Sequence, residues 1–180
     1  MLRGVNVGSH NRIKMDVLRH LYQSLKLEDP HTYVQSGNVI FRAKEKNTSK
    51  LAAKIQAEIS KKCGCNPDVI LRTTEELRSV VKANPFARRK DKDIEPGKLL
   101  VTFLQSDPAA TASAAIANLK DYPEELHLIG RELYIYFPNG AGKSKLPWSK
   151  VDKLVGVTGT ARNWNSVLAM LEMAEAMEKA

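Results

Sequence analysis

The apolar positions of this chain change period repeatedly, and each change marks an element. Leu2 to Val5 is a short apolar run that predicts a strand. Met15, Leu18, Leu21, Tyr22 and Leu25 then recur at three-to-four spacing, the mark of one helical face. Thr32 to Gln35 and Val39 to Arg42 predict two strands about Ser36-Gly37-Asn38, where Gly and Asn tolerate the left-handed angles of a tight turn. Leu51, Ile55 and Ile59 give a second helix ended by Gly64, and Pro67 to Arg72 predicts a fourth strand. Strand, helix, strand, strand, helix, strand is the order of a split βαβ, or ferredoxin-like, unit.

Thr73-Thr74-Glu75-Glu76 has the form of a capping box before Leu77, Val80 and Val81, so a short helix should follow and stop at Asn84-Pro85. From Ala87 to Gly97 charge replaces apolar period, with Arg88-Arg89-Lys90-Asp91-Lys92-Asp93 at its centre, which predicts an exposed linker. Lys98 to Leu104 reads as a strand. Asp107-Pro108 supplies a cap and first-turn proline for a helix over Ala109 to Leu119. Leu126 to Ile129 and Leu133 to Phe137 pair about Gly130, Lys150 to Val155 predicts a short helix, and Trp164, Val167, Leu168 and Leu171 mark a terminal one. The expected architecture is α+β: two ferredoxin-like units with antiparallel sheets covered by helices. They are expected over residues 1–83 and 98–180, joined by a charged linker over 84–97.

The 180 residues are enough for a real core, and 43% hydrophobic and 27% charged composition is that of a globular chain rather than a disordered one. Charge is unevenly spread. Residues 1–90 carry 18 basic and 8 acidic side chains, whereas residues 91–180 carry 10 and 12, so the basic excess lies in the first half. That field would draw in phosphates or other polyanions. The competing explanation is a solvated basic face with no partner. The chain begins without a basic-then-apolar leader and has no apolar run of spanning length, so a cytoplasmic protein without membrane attachment is expected.

Cys63-Gly64-Cys65 is neither the redox C-x-x-C nor half of a zinc pattern, and free thiols are expected. His10, His20, His31 and His127 show no metal-ligand spacing, so no metal or other cofactor is expected. No G-x-S-x-G or H-E-x-x-H arrangement appears either.

Three clusters carry candidate chemistry. In a split βαβ unit the loop after the first strand and the hairpin after the second emerge at one end of the sheet. This gathers Asn6, Gly8, Ser9 and Asn11 beside Gln35, Ser36 and Asn38, with Arg3, Arg12 and Lys14 nearby. Amides, glycine and free helix N–H groups suit an anion, although Asn and Gly more commonly just build turns. The second cluster, Thr158 to Asn165, brings Arg162 and Asn163 to the expected start of the terminal helix; its plainer explanation is capping by Thr160 or Asn163 with Trp164 as core anchor. The third, Gly140-Ala141-Gly142-Lys143-Ser144-Lys145, fails as a P-loop because Phe137 stands where the motif needs glycine and Pro147 follows Leu146; Lys143 and Ser144 remain available to a phosphate.

At these segments the chain resembles a bacterial family, domain of unknown function sixteen ninety-seven. The resemblance rests on Leu2-Arg3-Gly4-Val5-Asn6-Val7-Gly8, Tyr33-Val34-Gln35-Ser36-Gly37-Asn38-Val39-Ile40-Phe41, Asn84-Pro85-Phe86, Gly142-Lys143-Ser144-Lys145-Leu146 and Thr160-Ala161-Arg162-Asn163-Trp164-Asn165. It implies paired ferredoxin-like units and carries over no activity, cofactor or catalytic residue. Family members usually hold several apolar residues before the L-R-G segment; here Met1 directly precedes it, which predicts a short first strand.

The expected function is binding of an anionic ligand, either a phosphate-bearing small molecule or a nucleic acid, in a donor-rich cleft. Ser36 and Asn38 stand where the RNA-reading version of the fold has a basic residue and its first aromatic, so base stacking is poorly supplied. One alternative is a phosphate or acyl-phosphate hydrolase, with Arg3 or Arg12 and Asn38 placed as in acylphosphatase, whose G-x-V-Q-G-V loop is absent here. Another is a protein-interaction module using the Arg88 to Asp93 segment.

Overall fold

The computed structural model describes residues 1–8, 10–87 and 94–179. Helices and antiparallel sheets alternate along the chain, giving an α+β fold. The chain divides into two compact units, Met1–Glu75 with Ala169–Ala180, and Glu76–Leu168. These bounds differ from the expected 1–83 and 98–180: residues 76–83 go with the second unit and the last residues return to the first.

In the first unit, α1 (Met15–Ser24) and α2 (Thr48–Cys63) lie either side, in sequence, of β1 (Glu28–Tyr33) and β2 (Asn38–Arg42), which form a two-stranded antiparallel sheet. Leu18, Leu21 and Tyr22 of α1 and Leu51, Ile55 and Ile59 of α2 share one core with Leu2, Val5 and Val39. The helical spacing therefore identified the buried faces correctly. The outer strands did not form as expected. Leu2 and Val69 make one isolated antiparallel bridge instead of two full strands in a four-stranded sheet. Left-handed Gly4 and Asn6 (φ +65° and +54°) turn the chain away before the pairing can extend.

The first hairpin strand also lies earlier than expected, at Glu28–Tyr33 rather than Thr32 to Gln35. Asp29 and Pro30 argue against a strand by propensity. Here a bulge between Glu28 and His31, with Asp29 left-handed, admits both. The turn is then Val34 to Gly37. Gly37 has φ +74°, and a Cβ there would lie 2.6 Å from Val5 Cγ2 and 2.8 Å from Leu2 Cβ. Its carbonyl accepts the Leu2 N–H at 3.0 Å. The Arg42 guanidinium of β2 donates to the carbonyl of Met177 near the end of the terminal helix, satisfying one of the acceptors that every helix C-terminus leaves open.

The second unit is built on a four-stranded antiparallel sheet of order β4-β5-β3-β6, comprising β3 (Leu99–Leu104), β4 (Glu125–Ile129), β5 (Glu132–Tyr136) and β6 (Gly159–Asn163). α3 (Thr74–Lys82) crosses the boundary at 75/76, and α4 (Ala112–Ala117) and α5 (Trp148–Val155) follow β3 and β5. Side chains alternate across the sheet. Leu104, Leu126, Leu128, Leu133 and Ile135 meet Ala112, Ile116, Val151 and Val155 of α4 and α5 in one core. On the opposite face Tyr134 donates from its hydroxyl to the Val80 carbonyl of α3 at 2.8 Å, and Phe86 meets His127 edge-to-face and lies tilted against Tyr136.

Three expectations change here. Asn84 to Phe86 is not linker: Phe86 is buried, and Asn84 Oδ1 accepts its N–H at 2.9 Å. The expected Arg88 to Asp93 segment lies outside the described residues. The helix after Asp107-Pro108 starts only at Ala112, because a turn closed by the Ala112 N–H on the Ala109 carbonyl comes first. Finally, residues 159–163 form an edge strand rather than the opening of the terminal helix, α6 (Trp164–Lys179). A Cβ at Gly159 would meet Thr102 Cγ2 at 2.7 Å, so glycine is what lets this strand close on β3.

The geometry at Gly37 sets a firm expectation. Gly37→Ala should lose about 2–4 kcal/mol in urea unfolding, from the left-handed backbone and the overlap with Leu2 and Val5 together. Tyr22 is the converse case: its hydroxyl is fully buried with no hydrogen-bond partner among the described residues, and burial raises its pKa. Tyr22→Phe removes the stranded group and keeps the ring on Phe41, so unfolding should show no loss and up to about 1 kcal/mol of gain.

Candidate functional site

The two loops expected to meet in the first unit do meet, and Asn6 joins them. Its Nδ2 donates to the Gln35 carbonyl at 2.7 Å and to the Ile13 carbonyl at 3.0 Å, while Oδ1 accepts the Ile13 N–H at 2.9 Å. Both carbonyls are thus within reach of a single nitrogen, which brings the approach to α1 beside the hairpin turn. The Asn6 N–H donates to the Asn11 carbonyl, and Asn11 Nδ2 donates to the Gly4 carbonyl at 3.2 Å.

The amide side chains expected to face a ligand are therefore mostly occupied in construction. Asn38 is fully buried, and its Nδ2 donates to Ser36 Oγ at 3.0 Å and to the Tyr33 carbonyl at 3.4 Å. Gln35 contributes its backbone carbonyl to the clamp, and its side chain is exposed. Arg3 is exposed beside Asp68, with Nη1 to Oδ2 at 3.4 Å, a solvent-screened pair worth little to stability. Gly8, Asn11, Arg12 and Lys14 are exposed. Lys14 occupies the N-cap position of α1, and its side chain makes no capping bond. Two cations thus precede the first turn of α1, where the backbone N–H groups carry partial positive charge and Asp16 supplies one carboxylate against it. Ser9 lies outside the described residues.

Val34, between Tyr33 and Gln35, is half exposed with φ +49°, a costly conformation for a β-branched side chain. Sequence reasoning missed this strain, and also a pair on β1: His31 Nε2 lies 2.8 Å from Asp29 Oδ1 on the solvent side. The two-residue spacing is visible in the sequence, but only a strand that starts at Glu28 brings the pair onto one element.

The remaining candidates belong to the second unit. Arg162 lies on β6, where it and Thr160 alternate inward; it is buried, and Nη1 donates to Thr160 Oγ1 and to the Ala161 carbonyl, each at 2.8 Å. Burial pushes its pKa down to about 10, so it stays cationic at neutral pH. Asn163 accepts the Asn165 N–H at 3.0 Å through Oδ1, capping α6, and donates through Nδ2 to the Gly97 carbonyl. Capping, the plainer of the two explanations for Asn163, is what its side chain does. Lys143 ends a single 3-10 turn and is exposed, and Ser144 Oγ accepts the Leu146 N–H at 3.0 Å. Among the described residues no group of three or more His, Cys, Asp or Glu is placed to hold a metal ion, and no helix is long and apolar enough to cross a membrane.

A family model described as protein of unknown function, DUF1697, matches residues 1–134. The chain belongs to the DUF1697 family. The matched span holds the whole Asn6 clamp and both loops it joins, whereas Lys143, Ser144, Arg162 and Asn163 lie beyond it. The DUF1697 fold seen here is similar to that of a conserved bacterial protein, SP0830, from Streptococcus pneumoniae, with a TM-score of 0.68 and 20% identity over 97% of this chain and 96% of the other. At that identity the likeness concerns the fold. A search of curated proteins produced no match.

The clamp separates construction from display in this DUF1697 chain, and two substitutions test the separation. Asn6→Ala removes three hydrogen bonds and leaves the Gln35 and Ile13 carbonyls without this partner, so chemical denaturation should show a loss of about 2–3 kcal/mol. Gln35→Ala spares the carbonyl that Asn6 uses, and stability should stay within about 0.5 kcal/mol.

Proposed function

We propose that the first unit binds a phosphate-bearing ligand along the rim formed by the approach to α1 and the Val34–Gly37 turn. The observation that carries this reading is the pair of exposed cations, Arg12 and Lys14, at the start of a helix whose N-cap side chain makes no capping bond. A lysine at that position is electrostatically uphill against the helix dipole, and an anion seated there would offset the cost. Asn6 supports the reading by bonding the backbone carbonyl of Gln35, a residue exposed on the same rim. The first unit, residues 1–75 with 169–180, carries 14 basic and 10 acidic side chains, and this modest basic excess adds a long-range attraction for the same ligands. The hydrolase alternative draws no support from Asn38, whose amide is bonded within its own turn.

The ligand class follows from the donors. Charged and amide groups on an open rim suit oxyanions, and the small number of aromatic side chains, 6% of the sequence, argues for backbone phosphates over stacked bases if the ligand is a nucleic acid. Calorimetric titration of the full chain at low salt with inorganic tripolyphosphate, and polarisation with labelled single-stranded RNA, examine the two sources. Arg12→Ala and Lys14→Ala should each weaken binding about tenfold and flatten its salt dependence. Absence of binding by either probe at low salt, or affinity unchanged in both variants, overturns the proposal.

A further inference from the structure

Cys63 is the last residue of α2, Gly64 caps it in the left-handed conformation (φ +68°, ψ 15°), and Cys65 follows. The Gly64 N–H donates to the Ser60 carbonyl at 3.1 Å, which fixes that backbone in place. Both cysteines are free, partly exposed, and packed at the margin of the first unit's core.

The left-handed glycine matters because it is the mirror image of a helical residue. Its two neighbours therefore stand about as far apart as residues i and i+2 of a helix, about 5.4 Å between Cα atoms from the helix radius and rise. Disulfides span Cα separations of about 4.4–6.8 Å. An extended residue between the cysteines would hold them roughly 7 Å apart, at or beyond that limit. Cys65 is also close enough to act on its neighbour: the Cys63 pKa is raised first by burial and then by Cys65. A Cβ at Gly64 would meet nothing within 4 Å outside its two chain neighbours, so the turn between the cysteines is not packed against another element there.

We propose that Cys63 and Cys65 form an oxidisable dithiol, a modification site whose oxidant is a small disulfide of the glutathione type. One cysteine thiolate attacks a sulfur of the oxidant; the S–S bond breaks, and the departing thiolate carries away the electron pair and takes a proton from solvent. The second cysteine gives up its proton to solvent and attacks the protein sulfur of the mixed disulfide, releasing the second small thiol. The pair has then lost two electrons and two protons, and the oxidant has become two thiols. Burial raises the pKa of both cysteines, and the C-terminal end of a helix disfavours a thiolate at Cys63, so the dithiol is the resting form. The small ring is strained, and dithiol reductants should reopen it readily.

The full native chain incubated with oxidised glutathione should lose both titratable thiols, fall in intact mass by two hydrogens, and retain no glutathione. Ring closure should quicken about tenfold from pH 7 to pH 8 with the thiolate fraction. Cys63→Ser and Cys65→Ser lack the resolving thiol, so each should keep one glutathione. Peptide mapping of the unmutated chain reads the same linkage without any variant. Persistent glutathione adducts on the unmutated chain, disulfide-linked dimers, or two thiols that survive until the protein is denatured would each overturn the proposal. The outcome is independent of whether the rim near α1 binds phosphate.

Discussion

The first unit depends on one close approach. Gly37 packs its Cα against Val5 and Leu2 at a distance that leaves no room for a side chain, and its carbonyl takes the Leu2 N–H. Asn6 then ties the same two loops through one bond to the Gln35 carbonyl, while two more bonds to Ile13 brace its own loop. Among the described residues the unit has a two-stranded sheet and two isolated bridges, Leu2 with Val69 and Val7 with His10, to organise it. Backbone pairing alone is too sparse to set the geometry of these loops, so a glycine contact and an asparagine clamp take over that role.

The second unit answers the same problem with a sheet. Its alternation of buried residues supplies two apolar faces, one covered by α4 and α5 and the other met by α3 and Phe86. The edges need separate treatment, because an open strand edge invites pairing with other chains. At β4, Ser113 Oγ of α4 donates to the Leu128 carbonyl at 3.1 Å and closes part of that edge. At β6, a glycine admits the strand to the sheet, and a buried arginine follows three residues later, bonded to Thr160. Both units thus use glycine for clearance and a polar side chain for fixation, in different architectures.

Polar residues that cluster in sequence divide into two kinds once folded. Asn6, Asn38 and Asn163 spend hydrogen-bonding capacity on the chain itself. Arg12 and Lys14 face solvent. An unpaired amide buried in a turn costs more than a bonded one returns, so the asparagines turn inward to where backbone groups need partners. Long cations hold their charge in water and are left to meet ligands.

The sequence alone determined the features set by local periodicity. The apolar faces of α1 and α2, the Gly64 helix stop and the β4–β5 hairpin about Gly130 were all legible, because each follows from spacing or from a backbone angle that few residues tolerate. The meeting of the two loops was expected from a four-stranded sheet that does not form in the first unit, and comes about instead through the Gly37 contact and the Asn6 bond to the Gln35 carbonyl. Tertiary structure decided what periodicity does not encode. Residues 159–163 carry no apolar alternation that announces a strand, and they become one because β3 offers an open edge and Gly159 lets them reach it. Asp29 and Pro30 enter a strand only because a bulge absorbs them, and Leu2 and Val69 stop at a single bridge because the chain turns left-handed on either side of Val5. The direction of each amide was likewise beyond reach of the sequence, for a side chain's partner is chosen by which unpaired backbone groups folding brings within 3 Å of it.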